Sequence, residues 1–228
     1  MTKRGIVTLV VLGAVAVAVV LALTLPPLFR AEEPEPAPVY VIALDAGHGG
    51  RDPGANPDGV LEKDINLEIV GKLQVLVDAE EDLVAVPTRT LDIFVPLEDR
   101  IRIAEEAGAV VYVSVHVNSY SDAEPSGAET IVSDAHPLDG DSWVLAELIQ
   151  DAVVQATGAR DRGTRSQESY LQRTEMPAVS IETGYVTNPE ERAKLVDPEY
   201  QQRIAEGILT GLRQFIDWKY ASAPPAQP

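Results

Sequence analysis

Five short apolar runs, each fenced by turn residues, constrain this chain more than any other feature: Val39–Leu44, Leu83–Val86, Val110–Val115, Ala128–Val132 and Ala178–Ile181. They are too short for core helices and do not alternate with polar residues, so they read as strands covered on both faces. Between them lie stripes at helical spacing. The first holds Ile65, Ile69, Leu73 and Leu76, the second Leu97, Ile101 and Ala104, and the third Leu145, Leu148, Ile149, Ala152 and Val153. Strands alternating with helices predict an α/β domain, a single mostly parallel twisted sheet flanked by helices on both faces. Two helix starts close the domain. Asn188-Pro189-Glu190-Glu191 supplies a cap, a first-turn proline and acids for the helix N-terminus, and Asp197-Pro198-Glu199 repeats the device before a stripe of Ile204, Ile208, Leu212 and Phe215 or Ile216. Gly184 and Asn188 are expected to shape the turn and cap beyond the last strand.

The chain has three histidines and no cysteine, so a metal would have to be held by nitrogen and oxygen. His48 follows the first strand in DAGHGG, and His116 ends the third in VVYVSVHVNS. Both fall at the carboxyl rim of a parallel sheet, where open α/β sheets bind ligands. Gly47, Gly49 and Gly50 around His48 permit close backbone approach. Glu62 opens the first helix, and Glu182 ends the strand AVSIE at the same rim, where burial demands a partner. Two imidazoles and a carboxylate with one open position make a catalytic zinc set, with room for water and a second carboxylate as base. Taken singly, each histidine reads equally well as a satisfied core side chain. Asp45 is either an orienting partner for a ligand or a strand-end turn residue. Asn118 and Arg173 are candidate substrate contacts, His136 is a solvated loop histidine, and Arg89, Asp99 and Arg100 are expected to form structural ion pairs.

Outside this domain, Gly5 to Leu25 is a 21-residue stretch without a charge, roughly 31 Å as a helix, about one hydrocarbon core. Lys3 and Arg4 precede it and acids follow, so the positive-inside bias puts residues 1–25 across the cytoplasmic membrane as a single-pass anchor, with the rest extracytoplasmic. A cleaved signal peptide and a secreted form are the alternative. Residues 26–38, with five prolines and three glutamates, form an extended spacer of roughly 40 Å. Residues 221–228 read as a disordered tail, leaving 39–220 as the folded domain. The net charge of -18 falls on that domain and its tail, which excludes a nucleic-acid binder working through phosphate contacts.

The strings DAGHGGRDPGA, LEKDINLEI, TRTLDIFVPLEDRIRIAEEAGA, VYVSVHVNS, GAET, MPAVSIETGYVTNPEERAKL and YQQRIAEGILTGL occur in one order. Together they resemble the zinc-dependent N-acetylmuramoyl-L-alanine amidases, catalytic domains of cell-wall hydrolases, over Val39 to Ile216. The resemblance implies one zinc ion on His48, Glu62 and His116, with Glu182 as catalytic acid and base. It further implies hydrolysis of the amide joining N-acetylmuramic acid to L-alanine in peptidoglycan, by water acidified at the metal. Departures are Ala46, where proline is common before GHGG, and Val117 and Tyr120 near the second histidine; they bear on substrate preference. Some relatives carry an inserted helix over the site, for which the ten residues between Val132 and Trp143 leave no room. An open groove and a monomeric enzyme with peptidoglycan as its partner are therefore expected. A zinc peptidase acting within the stem peptide, and a non-catalytic peptidoglycan-binding module, remain the alternatives at this point.

Overall fold

The computed structural model describes residues 37–220. The anchor at 1–25, nearly all of the 26–38 spacer and the 221–228 tail lie outside the described residues. Among those described, no helix is long and apolar enough to cross a membrane. The elements run β1 (Tyr40–Ala46), a 3-10 turn (Pro57–Gly59), α1 (Glu62–Val77), β2 (Leu83–Pro87), α2 (Leu97–Glu106), β3 (Val111–Asn118) and β4 (Ala128–Ser133). They continue with α3 (Asp141–Thr157), β5 (Asp161–Gln167), a second 3-10 turn (Tyr170–Arg173), β6 (Ala178–Tyr185), α4 (Pro189–Leu195) and α5 (Pro198–Tyr220).

The strands order as β2-β1-β3-β6-β4-β5. All neighbours are parallel except β4 and β6, so the sheet is mixed. The reversal follows from chain length: only residues 119–127, without a helix, connect β3 to β4, whereas a parallel crossover needs a dozen residues or more and usually a helix. The chain therefore turns back. The next connection carries α3 and restores a parallel pair, β4 with β5. Five of the strands coincide with the apolar runs. β5 does not, because DRGTRSQ is an exposed edge with no apolar face.

The two faces of the sheet are unequal. On one, Ile42, Leu44, Val113, Val115, Val179 and Ile181 pack against Ile69 and Leu73 of α1, Leu145 and Ile149 of α3, and Ile208, Leu212 and Phe215 of α5. Each such aliphatic or aromatic side chain contributes about 1.5–3 kcal/mol by leaving water. The other face has a thin cover: Ala43, Tyr112 and Ala178 meet Ile101 and Ala104 of α2 and Leu171 of the second 3-10 turn. Beyond that cover, toward the carboxyl ends of β1, β3 and β6, this second face is free to carry polar groups. Asn188 caps α4 through bonds from the Glu190 and Glu191 amides, and Asp197 accepts from the Glu199 amide, as the two helix-start signals require.

Candidate metal centre

β2 and β3 lie on opposite sides of β1, so the chain changes direction there and opens a crevice at the carboxyl ends of β1 and β3. His48 and His116 stand in that crevice with their rings edge to face, centroids 5.0 Å apart. Glu62, the first residue of α1, enters between them. Its Oε1 lies 3.1 Å from His48 Nε2 and 3.0 Å from His116 Nδ1. The helix N-terminus favours its charge, and its Oε2 accepts from the Ala55 amide at 2.9 Å.

The three donors fit a zinc ion. One atom from each lies within 4.8 Å of the others, and the two short separations approach the roughly 3.3 Å edge of a tetrahedron with bonds near 2.0 Å. His48 Nδ1 is bonded to Asp52 Oδ2 at 2.8 Å, which directs Nε2 toward Glu62 and His116, the usual backing for a metal-ligating histidine. Gly47 makes room for the second histidine, since a Cβ there would lie 2.2 Å from the His116 ring. His48 itself sits at φ 63°, a left-handed conformation that costs a non-glycine residue energy and recurs at functional sites.

That conformation is held from behind. Arg100 donates to the His48 carbonyl at 2.6 Å and to Asp45 at 2.7 Å, while Arg89 donates to the carbonyls of Ala46, Gly47 and Lys63. Asp45 also accepts from Thr88, Ser114 and Tyr170. Its burial disfavours charge, but Arg100 and the hydroxyls outweigh that and keep its carboxyl below the usual range. Asp45 thus reaches the site through Arg100. The expected grouping of Arg89, Asp99 and Arg100 divides: Arg100 pairs with buried Asp45, Asp99 with Arg102 at the surface, and Arg89 with carbonyls.

Burial opposes the charge of Glu62, yet His116 and His48 hold its carboxyl well below the usual range. Burial likewise opposes charge on His48, yet Glu62 and then Asp52 raise it to about 9. The cluster therefore attracts positive charge, which in the metal-free protein is supplied by protons. Glu182 behaves in the opposite way. It pairs in register with His116 across β3 and β6, and desolvation pushes it up to about 7, with Glu62 and Glu129 adding and His116 opposing. A carboxyl near 7 can both take and give a proton at neutral pH.

Asn118, two residues beyond His116 on β3, donates to Glu129 of β4 at 2.6 Å. Arg173 pairs with Glu98 at 3.2 Å on the exposed side of the second 3-10 turn. The His136 ring is bonded to Ser142 and to the Thr174 carbonyl, apart from the other two histidines. Two cavities flank the cluster and share His116 and Tyr170. One, of about 390 Å³, is walled by Phe94, Val95 and Leu97; the other, of about 290 Å³, has Ile131, Ser180 and Glu182 on its floor. Sequence reasoning did not single out Asp52, Glu129 or Tyr170. Asp52 alone left a local signal, a carboxylate four residues after His48.

A sequence profile of the N-acetylmuramoyl-L-alanine amidase family matches residues 42–214. The chain is 39% identical over 203 residues to the uncharacterized protein YqiI of Bacillus subtilis, covering 86% of this chain and 94% of that one. It is 34% identical over 171 residues to the N-acetylmuramoyl-L-alanine amidase LytC of Bacillus subtilis, covering 75% of this chain and 34% of LytC. Among solved structures, the N-acetylmuramoyl-L-alanine amidase of Clostridium difficile 630 superposes with a TM-score of 0.76 at 34% identity, over 79% of this chain and 98% of that one.

Proposed function

The chain belongs to the N-acetylmuramoyl-L-alanine amidase family and hydrolyses the amide between N-acetylmuramic acid and L-alanine in peptidoglycan; from that premise we propose that His48, Glu62 and His116 hold one zinc ion and that Glu182 is the catalytic acid and base. The observation that carries the assignment is the convergence of three donors within 4.8 Å at a sheet rim, beside a carboxyl whose pKa is raised to about 7. Bound zinc supplies Lewis acidity, polarising a carbonyl and lowering the pKa of water from 15.7 to about 7.

The chain's own groups do the rest. Asp52 keeps the His48 ring turned so that Nε2 faces the site. Arg100 and Arg89 fix the backbone that carries the ring. Glu182 takes a proton from the water that attacks the lactyl carbonyl and returns it to the departing alanine nitrogen, two transfers by one carboxyl. The half-open rim, with His48 and His116 side chains 25% and 20% exposed, admits a polymeric substrate.

Mass spectrometry of digested peptidoglycan tests the reading. Zinc-loaded protein is expected to expose a new N-terminal L-Ala, and chelator to prevent it. Glu182→Gln should abolish release while one zinc per chain stays bound; full activity of that variant would remove Glu182 from the mechanism.

Residues 1–25 are proposed to anchor the domain outside the cytoplasmic membrane, with 26–38 as spacer and 221–228 as tail. The uncharged 21-residue stretch behind Lys3 and Arg4 supports this. Recovery in the membrane fraction, with the domain open to protease added outside spheroplasts, is the expected result; a wholly soluble protein would reject the anchor.

A further inference from the structure

A cationic feature stands at the sheet edge on the Glu182 side of the donor cluster, in a chain with 36 acidic and 18 basic residues. Arg160 immediately precedes β5, and Arg162 and Arg165 lie within it, on the edge strand nearest Glu182. Of the three, Arg165 has the placement of a ligand-reading residue. It pairs in register with Ile131 of β4, which faces Ser180 of β6, so it shares the sheet face of Ser180 and Glu182. Its Nε donates to Glu129 at 2.8 Å and its Nη1 to Gln167 at 2.7 Å. Among the described residues Nη2 has no hydrogen-bond partner.

Glu129 is an unusual anchor for an exposed arginine. It is 4% exposed and also accepts from Asn118 at 2.6 Å and the Tyr185 hydroxyl at 3.1 Å. A buried carboxylate gripped by three donors cannot follow a wandering side chain, so the guanidinium is held on one edge while its outer edge stays available. Pre-ordering of this kind reduces the entropy lost when an arginine binds a carboxylate through two parallel bonds.

The 290 Å³ cavity leads from Glu182 across Ile131 and Ser180 to Gln167, and Arg165 is bonded to Gln167 and pairs in register with Ile131, two of its lining residues. Glu182, the proposed proton donor to the departing nitrogen, lines this cavity, which makes the cavity the place for the departing peptide. β5 stands two strand spacings from β6, about 10 Å. A carboxylate on the residue after L-Ala lies about 7 Å along an extended chain from the scissile nitrogen, and the arginine side chain spans the difference.

We infer that Arg165, braced by Glu129 and Gln167, is a specificity-determining residue that binds a carboxylate on the residue following L-Ala in the departing peptide. The inference rests on the amidase reading. Two synthetic muropeptides test it, identical except that the residue after L-Ala carries a free α-carboxylate in one and its amide in the other. Wild-type protein is expected to favour the carboxylate by about tenfold or more in kcat/KM, the scale of one charge-assisted contact. Arg165→Met should erase that preference, mainly through KM on the carboxylate substrate, and leave the amide substrate nearly unchanged. Arg165→Lys, which keeps the charge without the fork, should restore part of it. Equal losses on both substrates, or a wild type without preference, would overturn the assignment. If zinc-loaded wild type frees L-Ala from neither substrate, the amidase reading itself fails and takes this inference with it.

Discussion

At the residue scale, Asp52 shows how a modest contact would govern the proposed metal ligand His48. By bonding His48 Nδ1 at 2.8 Å it fixes the tautomer and raises the basicity of Nε2, and loss of such a partner typically weakens metal binding about 10- to 100-fold. Asp52→Asn is expected to lower zinc affinity by that factor, measured against a chromophoric chelator, with the melting temperature of the metal-free protein little changed. A second expectation follows from His48. Its pKa in the metal-free protein is raised to about 9, so below that pH the ring holds a proton that zinc must displace. Apparent affinity should therefore climb about tenfold per pH unit up to about pH 9 for each proton displaced. Titrations in buffers of different ionisation enthalpy would count the protons released, and none at neutral pH would contradict the charge state assigned to the cluster. Glu182 bears on the pH dependence of turnover. It reaches about 7 by desolvation without metal, and a dication beside it lowers that value, so the acid limb of kcat/KM should lie below pH 7. As pH falls through that limb the base is protonated and activity is lost.

At the element scale, the pairing of α3 with α5 depends on the absence of a side chain. A Cβ on Gly211 would lie 2.5 Å from the Ile149 Cα, so Gly211→Ala must push the helices apart. The expected cost is about 1–3 kcal/mol in denaturant unfolding, without change in zinc stoichiometry, since neither α3 nor α5 carries one of the three donors. A neutral outcome would mean that α5 shifts freely. The same scale explains what the amino-acid order disclosed. Five strands were legible because each carries a short run rich in apolar residues and fenced by turn residues, and α4 because Asn188 and Pro189 mark its start. β5 was not, because an edge strand reading DRGTRSQ has nothing to bury. Nor was the direction of β4, since an apolar run carries no polarity and the length of the connection decides it. At the site, His48, Glu62, His116 and Glu182 could be placed together because each ends a strand or begins a helix at one rim. Glu129 and Arg165 could not, because their bond joins residues 36 positions apart through a register that no local pattern encodes.

At the scale of the whole molecule, charge and architecture act separately. A net charge of -18 repels anionic wall polymers over a distance that shrinks as ionic strength rises. Association of the protein with purified walls rich in such polymers is therefore expected to strengthen with added salt in a pelleting assay; weakening would reveal a cationic docking surface. The arginines near β5 are a local exception embedded in that field. Two unequal faces complete the arrangement, with the helices α1, α3 and α5 and most of the apolar core on one side, His116, Glu182 and both cavities on the other, and Glu62 reaching the proposed zinc site from the start of α1 at the rim. A protein engineer could exploit that partition: segments 119–127 and 134–140 could be lengthened, or the cavity walls rewritten, to redirect which muropeptide is cut, while the packed side supplies the same folding stability to every member of the library.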